Sequence, residues 1–168
     1  MTTHFSIREC RPGEANYVAD LHRRLYGEEY GWGPEFVSYA QKIAFDFENH
    51  PKHEREALWV VEVSGEKSGL GGCIMLCESD DPDVGQLRLF AVEKEYRRQG
   101  LGRKLVETLL EKAKQFGYRK IILWTAAPLE AALRQYERFG FKVTETQDNT
   151  SWSLEGKTVT EIKMELTL

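Results

Sequence analysis

Residues 101–113 constrain this chain more than any other stretch. Leu101, Leu105, Leu109 and Ala113 recur every four residues, with Val106 and Leu110 widening the stripe. A helix patterned in this way must bury one face against an apolar layer. Gly117 is placed as its C-terminal stop. Residues 86–92, just before it, read as a strand. Residues 118–124, just after it, contain Ile121-Ile122-Leu123-Trp124, a continuous apolar run typical of a strand buried on both faces. Strand, amphipathic helix and buried strand in succession point to an α/β architecture.

The flanking sequence fills in the rest. Residues 5–10 alternate apolar and polar and predict a first strand, ended by Arg11-Pro12-Gly13. Ala15, Val18, Leu21, His22 and Leu25 then recur at helical spacing to about residue 26. Gly27 and Gly31-Trp32-Gly33-Pro34 are expected to break the chain. A second helix over 36–47 would carry Phe36, Tyr39, Ala40, Ile43 and Phe47 on one face. Strands follow over 57–63 and 70–77, separated by the turn Ser64-Gly65-Glu66-Lys67, and Asp80-Asp81-Pro82-Asp83 marks another turn. After the buried strand come a helix over 129–139 closed by Gly140 and two strands over 141–146 and 158–166. The order β-α-α-β-β-β-α-β-α-β-β, without linker or internal repeat, reads residues 1–168 as a single mixed α/β domain.

Charge and composition narrow the function. A net charge of −4 argues against a general electrostatic grip on nucleic acid or an anionic membrane, so an anionic ligand must meet a local basic patch. No apolar run approaches the ~18 residues that span a bilayer, and residues 1–6 show no secretory pattern. Three cysteines, an odd number, fit a reducing compartment better than a disulfide framework, so a cytoplasmic location is expected. Cys73 and Cys77 would share one face of a strand and pack inertly, with no second pair to complete a zinc site. His50 and His53 are spaced like metal ligands but lie in a charged, proline-containing loop. No metal is expected.

The loop 93–100 carries the chemistry. Arg97-Arg98-Gln99-Gly100-Leu101-Gly102 opens the leucine-striped helix, whose first amides lack intrahelical partners and carry partial positive charge. Phosphate suits such a terminus, and glycines let its oxygens approach the backbone. Lys94, Arg97, Arg98, Arg103 and Lys104 supply the local cations. A surface loop whose glycines relieve packing would fit the composition equally well. The spacing is neither the Walker pattern nor the dinucleotide fingerprint, since position 105 is leucine rather than a third glycine.

What remains, R-x-x-G-x-G, resembles the GNAT acetyltransferase superfamily, where this motif holds the pyrophosphate of acetyl-CoA. The likeness runs over almost the whole chain and includes Tyr136 ahead of Phe139-Gly140-Phe141. It is most similar to the acetyltransferase half of regulators that fuse a MarR-type DNA-binding domain to this fold, through residues 25–32 and 118–125; no DNA-binding domain is expected ahead of it here. The resemblance implies a mostly antiparallel sheet of six or seven strands with helices on both faces. It also implies a fourth strand that parts from its neighbour, so that the cofactor's pantetheine arm pairs with Phe90, Ala91 and Val92. Arg97, Arg98, Gln99, Gly100, Leu101, Gly102 and Arg103 would hold the diphosphate. Where many members carry asparagine seven residues before the tyrosine, this chain has Leu129, which puts that polar contact in doubt.

The implied reaction acetylates a primary amine, small or peptidic, by direct attack in a ternary complex. Neutralising a lysine-like amine at pH 7 costs about 4–5 kcal/mol, so a carboxylate or water chain should act as base. Glu28 and Glu29, in the loop that borders the acceptor pocket in the resembling family, are candidates for base or acceptor binding, and Glu78 is another; the ordinary reading of each is a surface carboxylate. Backbone N–H groups near residues 90–92 would stabilise charge on the carbonyl oxygen. Tyr136 takes the family's general-acid position, at an uphill cost of ~2 kcal/mol between reference phenol and thiol. Simple packing of Tyr136 beside Phe139 is the alternative. Tyr26, Tyr30, Trp32, Phe36 and Tyr39 would help to form the acceptor pocket. The competing class is a catalytically weak acyl-CoA-binding regulatory domain; phosphoryl transfer lacks a magnesium-ligand pattern. A monomer or homodimer is expected.

Overall fold

A computed structural model describes residues 2–50 and 54–168. Seven strands form one sheet in the order β1-β2-β3-β4-β5-β7-β6: β1 (His4–Glu9), β2 (Ala57–Ser64), β3 (Gly69–Glu78), β4 (Val84–Val92), β5 (Lys120–Ala126), β6 (Lys142–Asn149) and β7 (Val159–Thr167). Every pairing is antiparallel except β4 with β5. The helices are α1 (Ala15–His22), α2 (Pro34–Asn49), α3 (Leu101–Gln115) and α4 (Glu130–Phe139). The expected element order and mixed sheet are both present.

Strand alternation divides the core. Ala57, Trp59, Val61 and Val63 of β2 join Leu105, Val106 and Leu109 of α3 and Tyr136 of α4 on one face. Leu58 and Val60 face the other way, with Val18 and Leu21 of α1 and Ala40 and Ala44 of α2. Helices therefore cover both faces. Cys73, Met75 and Cys77 share that second face, and all three cysteines are free thiols. Burial pushes the Cys77 thiol up to about 12 and the Cys10 thiol up to about 11, so neither is a ready nucleophile.

One expectation is corrected. Gly27 does not break the chain: α1 passes into a π-helical stretch, Arg23–Glu29, and the break comes only at Gly31, whose φ is +69°. Arg24 fixes this stretch by pairing with Glu93 after β4 (2.8 and 3.1 Å) and with Asp20 (2.7 Å). Tyr39 shares the face of α2 that carries Phe36, Ala40 and Ile43; it is 52% exposed, and the small residues Ala40 and Ala44 make the close contact. The helix also starts at Pro34, whose missing N–H costs nothing in a first turn. His50 bonds the Asp46 carbonyl through Nδ1, while its expected partner His53 lies outside the described residues. Among the described residues no group of three His, Cys, Asp or Glu could hold a metal ion, and no helix is long and apolar enough to cross a membrane.

Candidate active site

The site starts where the parallel strands separate. β4 pairs with β5 only from Val84↔Lys120 to Gln86↔Ile122, although β4 runs on to Val92 and β5 to Ala126. Beyond Gln86 the two strands part, and the β5-side edge of Phe90, Ala91 and Val92 is left without a strand partner. On its other edge β4 stays bound to β3, through Cys73↔Ala91 and Gly72↔Val92. Between Arg88 and Ala91 it carries one more residue than β3 does between Met75 and Cys73, and Leu89 takes φ +51° there. This bulge re-aims the side chains around it.

The loop after β4 passes through a short 3₁₀ turn, Lys94–Tyr96, and enters α3. Arg98 (φ +64°) and Gly100 (φ +77°) are both left-handed, so the backbone curls ahead of the first helical amides. No side chain caps the helix, and the first intrahelical bond of the turn is donated by Lys104 to Gly100. The amides of Leu101, Gly102 and Arg103 thus remain available to an anion, in a nest-like curve. The two glycines serve different ends. A Cβ at Gly100 would meet nothing within 4 Å, so its role is the left-handed turn. A Cβ at Gly102 would lie 3.0 Å from Gln135 and 3.2 Å from Phe90, so that glycine lets α4 and β4 close on the helix start.

The cations are unevenly free. Arg97 donates to both carboxylate oxygens of Glu29 at 3.0 Å, and Arg103 pairs with Glu107 at 2.9 Å. Lys94, Arg98 and Lys104 are exposed and take part in no ion pair among the described residues.

Tyr136 joins the two faces of the sheet. It packs with Phe141 and Phe90 beneath the sheet, yet it lines the same cavity as Tyr26 and Trp32 above it. Only the parting of β4 from β5 allows this. Burial pushes its phenol well above the ordinary value, with Tyr26 adding to the effect, so the proton stays on oxygen. Tyr26 donates to the Phe90 carbonyl at 3.2 Å across the opening, occupying one acceptor of the strand edge. Leu129, in place of asparagine, sits at the N-cap of α4 without a side-chain bond and lines the cavity with its apolar chain.

The cavity has a volume of about 620 Å³. Its roof is aromatic: Tyr26 stacks on Trp32 (5.5 Å, 9°), and Phe36 and Trp152 close edge-on around them. Trp152 arrives from the segment between β6 and β7, tied across by Gly33 N–H to the Trp152 carbonyl at 2.6 Å. Tyr26, Trp32, Phe36 and Tyr39 line the cavity as expected, while Tyr30 stacks behind Tyr26. His22 lines it as well, with Nδ1 bonded to the Val18 carbonyl, and burial lowers its pKa to about 4.

The carboxylates differ from the sequence expectation. Glu28 is 69% exposed beside Arg23, and Arg97 holds the Glu29 carboxyl below its ordinary range. Neither lines the cavity, and Glu78 sits at the far end of β3 with its amide bonded to Glu56. The buried carboxylate in the cavity is Glu161 on β7, whose Oε2 accepts from Gln147 (2.9 Å) and Asn149 (3.3 Å). Sequence reading passed over it because Thr-Glu-Ile-Lys looks like an ordinary alternating strand. A glutamate opposite two amide-bearing positions is meaningful only once the β6–β7 register, Gln147↔Glu161 and Asn149↔Val159, is known.

Residues 16–141 match the sequence profile of the acetyltransferase (GNAT) family. The chain is 34% identical over 142 residues to the Xenopus laevis protein named "Probable N-acetyltransferase camello", covering 82% of this chain and 64% of that one. The Xenopus tropicalis protein of the same name is 33% identical over 119 residues, 70% of this chain and 52% of its own length. The chain therefore spans between about half and two-thirds of these curated relatives. Among solved structures, a GNAT-family acetyltransferase from Streptococcus pneumoniae superposes with a TM-score of 0.75 at 21% identity, covering 98% of this chain and 100% of that one. A Salmonella typhimurium acetyltransferase structure described "with its cofactor Acetyl-CoA" gives 0.75 at 16% identity, covering 98% and 94%.

Proposed function

We propose a function from one premise: the chain belongs to the acetyltransferase (GNAT) family. It moves an acetyl group from acetyl-CoA to a primary amine by direct attack in a ternary complex. The observation that carries this reading is Tyr136 reaching through the gap between β4 and β5, between an uncapped helix start and an aromatic cavity. The residues fit the cosubstrate: the amides of residues 101–103 with Arg98, Lys94 and Lys104 suit a diphosphate. The bare edge of Phe90, Ala91 and Val92 suits an amide-bearing arm.

Acetyl-CoA, when bound, supplies an activated acetyl thioester. The chain's own groups do the rest. Glu161 takes the proton lost by the amine as the carbon–nitrogen bond forms. Strand-edge N–H groups near Phe90 to Val92 face the charge that grows on the carbonyl oxygen. As the carbon–sulfur bond breaks, Tyr136 gives its hydroxyl proton to the departing sulfur, and the two side chains re-equilibrate with water. Its raised pKa disfavours free phenolate, so donation is concerted with departure. No cysteine lines the cavity, which supports direct transfer over an acyl-enzyme.

We read residues 1–168 as one acetyltransferase domain of monomeric or homodimeric habit, and the free thiols support a reducing, cytoplasmic setting. Kinship with the MarR-type fusions is a finer reading that rests on residues 25–32 and 118–125. The test follows free-thiol release from acetyl-CoA over a panel of amines, with calorimetry of coenzyme A binding alongside. Turnover with binding is expected. Tight binding without turnover on any amine would favour the regulatory acyl-CoA-binding alternative, and absence of binding would sink both.

A further inference from the structure

Among the described residues, two charged groups on the sheet side of the cavity have no ionic partner. Arg88, on the bulged part of β4, lines the cavity, and its Nε is buried without a hydrogen-bond partner. It is the one such side-chain atom among the described residues. Glu161 is 8% exposed and bonds only to the neutral amides of Gln147 and Asn149, both through Oε2. Among the described residues neither Arg88 nor Glu161 takes part in an ion pair. Arg88 as a whole is only half-buried, but a charge drawn partly out of water without a counter-charge is still costly, and a site that carries both signs unpaired is matched by a ligand that carries both signs.

The topology sets the spacing. Arg88 and Glu161 stand on strands β4 and β7, with β5 between them, and both project to the cavity side of the sheet. Two strand spacings amount to about 10 Å, and Glu161, opposite Ala126, lies about two residues further along the strands than Arg88, so the backbone separation is larger still, before the splay adds to it. An α-amino acid, with one hydrogen bond at its ammonium and one at its carboxylate, spans about 8–9 Å. Arginine's length takes up the difference. Above these charges Trp32, Phe36 and Trp152 form an apolar roof, and the exposed Glu35 of α2 also lines the cavity.

Resting on the acetyltransferase reading, we propose that the acceptor is a free α-amino acid with an apolar side chain. Its carboxylate is held by Arg88, its amine by Glu161, and its side chain lies against the tryptophans. A simple amine would leave Arg88 unmatched, and a peptide N-terminus carries no carboxylate beside its amine.

The test compares acceptors that differ only in the carboxylate, phenylalanine against 2-phenylethylamine and methionine against 3-(methylthio)propylamine, by thiol release from acetyl-CoA. For the unaltered protein kcat/KM should favour the amino acid by about tenfold or more. Arg88→Leu should erase that preference through KM while leaving the coenzyme A Kd unchanged, and Arg88→Lys should restore part of it. Equal or better use of the carboxylate-free amine overturns the proposal, as does a preference that survives Arg88→Leu, or no turnover of either member while coenzyme A still binds. Should coenzyme A fail to bind at all, the cofactor reading falls by itself. Calorimetric titration of phenylalanine then decides this one: binding lost in Arg88→Leu upholds it, and no binding to the unaltered chain overturns it.

Discussion

The two ends of the cleft are built in opposite ways. The end proposed for the cofactor is a run of neighbours, from Phe90 through Arg103, in which one strand edge, one curled loop and one helix start follow each other in the chain. The end proposed for the acceptor draws residues from elements far apart in the chain, among them α1, α2, β4, β5, β7 and the segment carrying Trp152. A diphosphate has one chemistry and needs only backbone amides with a few cations, so a short motif suffices. An acceptor has a shape and a charge pattern, and matching them takes side chains brought from far apart. The shared piece is Tyr136, which touches both ends through the strand gap.

Substitutions should separate the two ends. The largest effect is expected at the junction: Tyr136→Phe should lower kcat by about 10²–10⁴-fold with coenzyme A affinity retained, read by steady-state kinetics beside calorimetry. A normal kcat would remove the hydroxyl from the mechanism. On the acceptor side, His22 is buried neutral with its pKa lowered to about 4 from 6.5. Below pH 6.5 the unfolded chain takes up a proton that the folded chain refuses, so stability declines as pH falls toward 4. That component is on the order of 2–3 kcal/mol. Urea unfolding at pH 7 and 4.5 should show it in the unaltered protein and lose it in His22→Leu.

On the cofactor side, Gly100→Val forces a β-branched residue into φ +77°. The strain is about 1–2 kcal/mol, so coenzyme A binding should weaken by about tenfold while acceptor KM, at saturating acetyl-CoA, holds. An unchanged Kd would mean the turn is not the cradle. The smallest effect is expected at the contact between the ends. Glu29→Gln removes a negative charge beside the diphosphate site and frees Arg97. Coenzyme A should then bind about two- to five-fold tighter, since exposed pairs are worth up to ~1 kcal/mol; weaker binding would show that Glu29 positions the loop.

Most of the framework was legible because it is periodic. The four-residue stripe of α3, the alternation of β2 and the apolar run in β5 each name their own partner surface. The left-handed stops at Gly117 and Gly140 were read for the same local reason. Gly27 misled because a glycine's cost in a helix is only about 1 kcal/mol, less than the Arg24 pairs with Glu93 and Asp20 that hold the π-helical stretch in place can offset.

The sequence by itself determined the order of elements, the two-faced core and the glycine-curled loop that opens α3, since each depends on residues within a few turns of one another. Only the tertiary structure decided where β4 leaves β5, which carboxylate enters the cavity and which cation goes unmatched there. Those outcomes depend on strand register and on a one-residue bulge, and a shift of one residue in either would turn Arg88 and Glu161 to the other face.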